Sequence, residues 1–95
     1  MITRIVKMKF KSEQVETFLR IFRESAPLIR SFPGCRGVKL MRESGSSSTL
    51  FTISQWDSLE HLEQYRSSGL FQSTWAQTKL LFDGKPEAWS IEEIA

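Results

Sequence analysis

The sequence predicts an α+β domain of ferredoxin-like topology, a four-stranded antiparallel sheet with helices on one face. Three observations carry this. Apolar residues alternate with period two in four separate stretches. Helical stripes lie between the first and second of these and between the third and fourth, giving the order strand, helix, strand, strand, helix pair, strand. No internal repeat, linker or composition break divides the 95 residues, so residues 1–95 form one domain.

The first strand covers Ile2 to Phe10, with Ile2, Arg4, Val6, Met8 and Phe10 on one face and Thr3, Ile5, Lys7 and Lys9 on the other. Ser12 is placed to cap the first helix, whose stripe runs through Val15, Phe18, Leu19, Phe22, Ala26 and Ile29. Pro27 lies inside that stripe and predicts a kink or restart near Glu24 to Ala26, because proline donates no amide hydrogen and crowds the preceding turn. Phe32-Pro33-Gly34 stops the helix. Cys35 to Glu43 and Leu50 to Trp56 read as a hairpin around the polar loop Ser44 to Ser48.

Asp57, followed three residues later by Glu60, reads as a capping box for a short helix through Leu59, Leu62 and Tyr65 or Arg66. Ser67-Ser68-Gly69 interrupts it, and a further helix from about Leu70 to Phe82 is expected to bury Leu70, Phe71, Thr74, Trp75, Thr78 and Leu81 or Phe82. Asp83-Gly84-Lys85-Pro86 turns the chain into a last strand, Glu87 to Glu92. Both faces of the strands carry apolar residues, since Ile5 opposes Val6 and Met8, while Phe51 and Ile53 oppose Leu50 and Trp56. A sheet wet on one face alternates more cleanly, so the face without helices is expected to be buried in a homodimer.

Composition removes several classes of function. The 13 Lys and Arg against 11 Asp and Glu are scattered rather than clustered, which argues against nucleic-acid binding. A single cysteine, Cys35, permits no intramolecular disulfide and no cysteine-based metal site. No stretch approaches the roughly 20 apolar residues that span a bilayer, and the N-terminus lacks a signal-peptide run. The expectation is a soluble, cytoplasmic protein without a membrane partner. Glycine-rich phosphate loops, a nucleophile elbow and paired carboxylates are likewise missing, so hydrolase, kinase and nicotinamide-dependent chemistries have little support.

The richest segment runs from Trp56 to Trp75, where a strand-ending Trp, a capped helix and a second helix gather rings around one place. Trp56, Tyr65, Phe71 and Trp75 are candidate walls of an aromatic pocket, in which a planar ligand gains roughly 0.5 to 1.5 kcal/mol per ring pair beyond area burial. The competing reading is that they are core. Arg4 shares strand parity with Val6 and Met8 and is a candidate to hold a carboxylate, phenolate or quinone oxygen, against a simple solvent-reaching strand end. His61, the one side chain that ordinarily titrates near neutrality, is a candidate general base, against a surface histidine between Glu60 and Glu63. Lys79, one turn beyond Trp75, is a candidate positive charge at the pocket mouth, against a solvated helix lysine.

Phe32-Pro33-Gly34-Cys35, Trp56-Asp57-Ser58-Leu59-Glu60 and Tyr65-Arg66-Ser67-Ser68-Gly69-Leu70-Phe71 together resemble the antibiotic-biosynthesis monooxygenase domain family across nearly the whole chain. The resemblance implies a dimeric α+β barrel and a pocket between helices and sheet. It also implies a range of activities, from oxygenases acting on aromatic polyketides or quinols without metal or flavin to haem-degrading enzymes. The haem-degrading branch is similar to a pattern of an Asn on the first strand, a Trp in the helix before the Ser-Phe segment, and an iron-ligating His after it. The matching positions here hold Val6, Tyr65 and Trp75, and an indole has no lone pair to give iron. The resemblance thus implies a cofactor-independent monooxygenase acting on a planar aromatic or quinol-type molecule, with no cofactor and no metal. A non-catalytic binding module on the same dimeric fold is the alternative, and an isomerase or decarboxylase-like activity a third.

Overall fold

The computed structural model describes Met1–Ala95. Strand β1 (Ile2–Lys9) is followed by a 3-10 turn and helix α1 (Val15–Arg30), then the hairpin of β2 (Cys35–Arg42) and β3 (Thr49–Trp56). Helices α2 (Leu59–Arg66) and α3 (Gly69–Lys79) lead to β4 (Glu87–Glu92). The sheet order is β2-β3-β1-β4, with every pair antiparallel. This is the ferredoxin-like α+β architecture that the alternation predicts. No helix is long and apolar enough to cross a membrane.

Several local details depart from expectation. Ser12 caps nothing; its hydroxyl turns to Glu13, and α1 starts through a 3-10 turn whose N-cap makes no side-chain bond. Pro27 does not interrupt α1, which is continuous through it. Pro27 and Arg23 are both exposed, so the carbonyl that loses its amide partner lies on the wet side of the helix. Ser25, Ala26 and Ile29 meanwhile hold the buried side in place. The cap of α2 is Ser58, whose side chain accepts from the His61 amide at 3.2 Å, while Asp57 pairs with Arg36. Helix α3 stops at Lys79 rather than Phe82 because the next residues are recruited by the end of β1. Phe82 bridges Phe10, Lys11 N–H donates to the Leu81 carbonyl, and Asp83 N–H donates to that of Lys9.

The β1–β3 register sets Ile2, Arg4, Val6 and Met8 opposite Trp56, Ser54, Thr52 and Leu50 on the face beneath the helices. At the two ends of this face sit two separate cores. One gathers Ile2, Ala26, Ile29, Val38, Trp56 and Leu62; the other gathers Met8, Phe10, Phe18, Leu50 and Leu81. Between them the sheet presents Arg4, Val6, Thr52 and Ser54, which are short or polar and do not fill the space.

By strand parity the opposite face carries Ile5, Phe51, Ile53, Met41, Trp89 and Ile91. Met41, Trp89 and Ile91 are 49%, 43% and 49% exposed, and every residue of β4 is exposed. The structure therefore contains the second apolar face that the strand pattern predicts.

Candidate functional site

The gap between the two cores is a cavity of about 290 Å³. Its floor is Arg4, Val6 and Met8 of β1 with Thr52 and Ser54 of β3, and its roof comes from α1, the end of α2, and α3. Helix α3 contributes Phe71, Thr74, Trp75 and Thr78, spaced three and four apart as one helical face requires. Its entry is set by Ser68, whose hydroxyl accepts from the Phe71 amide at 3.1 Å. That cap starts α3 immediately after α2 and turns Tyr65 toward Phe71, their rings meeting edge to face at 5.3 Å.

The rings form one continuous row. Phe32 meets Trp56, Trp56 stacks on Tyr65 at 4.9 Å, Phe71 stacks on Trp75 at 5.9 Å, and Trp75 meets Phe82 edge-on. Of the residues singled out in the sequence, Arg4, Tyr65, Phe71 and Trp75 line the cavity. Trp56, Lys79 and His61 do not. Trp56 is fully buried behind Tyr65, its indole N–H donating to Ser54 Oγ at 3.0 Å, so it supports the wall without facing the ligand space. Lys79 is exposed at the end of α3, and Thr78, one residue earlier, takes the inward position.

His61 is held away from the cavity by two local contacts. Its Nδ1 is hydrogen-bonded at 2.8 Å to Ser58 Oγ, which also accepts the His61 amide, so the ring completes the helix cap. Its face covers Gly34, where an added Cβ would sit 2.3 Å from the ring. His61 is thus packed as a structural clip between the start of α2 and the turn before β2.

The structure adds residues to the wall that the sequence did not single out as site candidates. Arg66 lines the cavity beside Tyr65, three and four residues after Leu62 on the same stripe. Ser25, Thr52, Ser54, Thr74 and Thr78 complete the wall. The signal available for Thr52 and Ser54 was their inward parity, a position that an apolar residue usually takes. Several of these hydroxyls are occupied locally: Ser25 donates to the Ile21 carbonyl at 2.9 Å and Thr78 to that of Thr74 at 2.8 Å. The wall they form is consequently less polar than its composition, and the charged groups on it are Arg4, Arg66 and Glu87.

Arg4 donates to Ser90 Oγ at 3.0 Å. Burial first, and then the nearby Arg66 charge, push its pKa below the ordinary arginine value, while Glu63 offsets part of this. An arginine remains charged at neutral pH even so. Tyr65 is pushed up to about 12, chiefly by burial, with the Cys35 thiol adding to it. At neutral pH its hydroxyl is a hydrogen-bond donor and no base. No group of three or more His, Cys, Asp or Glu side chains lies close enough together to hold a metal ion.

The Tyr65 shift has a testable consequence. Its pKa rises on folding from 10.0 to about 12, so the unfolded chain releases the phenol proton first. Stability is complete below pH 10 and falls as pH rises through 12, by up to about 3 kcal/mol. Urea unfolding at pH 9 and at pH 12 is expected to show this loss in the wild type, and Tyr65→Phe is expected to remove that share of the pH dependence.

Helices over one face of a four-stranded antiparallel sheet, with an aromatic cavity between the layers, define a ferredoxin-like α+β protein. The chain belongs to the antibiotic biosynthesis monooxygenase family, whose model matches residues 1–77. Solved structures share the fold closely. One described as an antibiotic biosynthesis monooxygenase superposes with a TM-score of 0.92 at 16% identity, covering 100% of both chains. A conserved protein from Methanosarcina mazei Go1 gives 0.92 at 19% identity, covering 99% of this chain and 94% of its own. Rv0793 from Mycobacterium tuberculosis gives 0.90 at 15%, covering 99% and 95%. At such identities the likeness establishes the fold alone. No curated protein sequence matches the chain.

Proposed function

We propose that the protein is a cofactor-independent monooxygenase that oxidises a planar aromatic or quinol-type molecule in the cavity between helices and sheet. The observation that carries this reading is the pairing, in one cavity of about 290 Å³, of aromatic walls from Tyr65, Phe71 and Trp75 with the Arg4 guanidinium. Such walls hold a planar ring, and the cation stabilises the phenolate or enolate that must form before oxygen can react. Arg4 lowers the substrate's own pKa, and the Tyr65 hydroxyl donates a hydrogen bond to the same developing oxyanion. The proton leaves to water at the mouth. The substrate anion then gives one electron to O₂, the radical pair combines to a hydroperoxide, and loss of water leaves one oxygen atom in the quinone product. The protein supplies desolvation and orientation, and the electrons come from the substrate.

Membership of the family supports the reading without naming a substrate. A second reading, a binding module without turnover, has its own support, because no histidine lines the cavity and Glu87 is its one carboxylate. Oxygen uptake by metal-stripped protein against anthrones, dihydroxyanthracenes and quinols separates the two. Uptake above autoxidation that falls in Arg4→Gln and Trp75→Ala supports the oxygenase. Rates equal to autoxidation for every compound, with the compounds still bound, support the module.

We further propose that two chains associate through the helix-free face of the sheet, burying Ile5, Phe51, Ile53 and the exposed Trp89 and Ile91. Light scattering at low micromolar concentration is expected to return twice the 11.0 kDa chain mass, and Ile53→Asp to return the mass of one chain. A wild-type monomer contradicts the proposal.

A further inference from the structure

We infer that the end of the cavity between Arg4 and Arg66 is a carboxylate-binding subsite, so that the aromatic molecule it selects is an acid. The inference rests on the reading of this cavity as the substrate site and adds the charge class of the substrate. Its basis is a surplus of cationic donors. Each guanidinium carries five N–H groups. Arg4 uses one of its own on a neutral partner, Ser90 Oγ, and forms no ion pair. Arg66 is joined to Glu63 through one nitrogen at 3.1 Å, and its side chain is 40% exposed, leaving the rest of the fork free.

Both side chains line the same cavity. Their mutual repulsion is felt at Arg4, which Glu63 only partly compensates. Glu87, the one carboxylate on the wall, starts β4 opposite Lys7 in the strand register, three residues from the Ser90 that Arg4 engages. Two like charges converging on a half-buried space are stabilised by an anion placed between them. A planar carboxylate matches the free part of the Arg66 fork in two parallel hydrogen bonds, and Arg4 adds one N–H to it while keeping its others for the substrate's reacting oxygen. The adjoining walls, Tyr65, Phe71 and Trp75, then fix the ring to which the carboxylate is attached.

The test compares 2-naphthoate with the neutral 2-naphthalenemethanol, binding followed by quenching of tryptophan fluorescence in the full chain. Wild type is expected to prefer the acid by at least about tenfold, as charge-assisted hydrogen bonds to a carboxylate imply. Rising salt should reduce the preference. Arg66→Gln, at an exposed position that the fold does not depend on, should lower naphthoate affinity toward that of the alcohol and leave the alcohol unchanged. Arg66→Lys should retain part of the preference, and Glu63→Gln should increase it. Equal affinity for the two probes, no binding of either, or a preference untouched in Arg66→Gln overturns the subsite. The two proposals fail separately: selective acid binding without oxygen uptake from hydroxylated naphthoates sinks the oxygenase alone, while turnover of neutral quinols with no preference for acids sinks the subsite alone.

Discussion

Replacing Trp56 with alanine is expected to cost about 3–5 kcal/mol of folding stability, the range found for deleting a large aromatic from a core. Trp56 is 0% exposed, lies at the centre of the core at one end of the sheet, and stacks on Tyr65 with ring centroids 4.9 Å apart. Its removal leaves a void under α2 and takes from Ser54 Oγ the donor that holds it. A domain of this size commonly has a total stability of about 5–15 kcal/mol, so the variant should sit near the edge of folding. Trp56→Phe keeps most of the volume and loses the indole bond, and should cost less than half as much. Urea denaturation followed by circular dichroism measures both. A loss under about 1 kcal/mol for the alanine variant would show that Trp56 is not the core residue described. The effect reaches function because Tyr65 and Arg66, which line the cavity, stand on the helix that Trp56 supports.

Gly34→Ala is the second large effect, expected at about 2–4 kcal/mol. Gly34 has φ +83°, in the left-handed region that a side chain disfavours, and an added Cβ would lie 2.3 Å from the His61 ring. The Gly34 carbonyl also accepts the Asp57 amide at 2.8 Å, so the turn cannot shift freely. The two costs can be separated. In Gly34→Ala/His61→Ala the ring clash is gone, while the backbone strain and the close approach to the Cβ of residue 61 remain, so the double variant should be more stable than Gly34→Ala alone and less stable than His61→Ala. His61→Ala by itself should cost less than about 1 kcal/mol, as loss of a capping contact does, and should leave ligand affinity unchanged. A double variant no more stable than Gly34→Ala would mean that the ring does not set the constraint.

The behaviour of these positions shows which features could be read from sequence. Strand alternation exposed the sheet and its two apolar faces, and Ser67-Ser68-Gly69 marked the break between α2 and α3, because each of these signals is local. Pro27 misled, since what a missing amide does depends on which side of the helix faces water, a tertiary property. Asp57 and Ser58 are both good caps, and the choice was made by Arg36, a residue 21 positions away that draws Asp57 aside. At the site, Tyr65, Phe71, Trp75 and Arg4 were legible from parity and helical spacing. Trp56 was not separable from them, because a wall and the support behind it share the same periodicity. Thr52 and Ser54 stood at inward parity and Thr78 on the buried stripe of the last helix, yet none of them announced a site: a cavity is made where side chains are too small to fill it, and no residue pattern announces missing volume.

The central claim is that ligand enters between the helices and the sheet, and the three indole N–H resonances of Trp56, Trp75 and Trp89 report on it directly. Trp75 lines the cavity, Trp56 lies buried behind it, and Trp89 stands on the opposite face of the sheet. Titrating 2-naphthoate into ¹⁵N-labelled protein is expected to move the Trp75 indole resonance most, Trp56 less, and Trp89 least. A titration that moves Trp89 and leaves Trp75 in place would contradict the account.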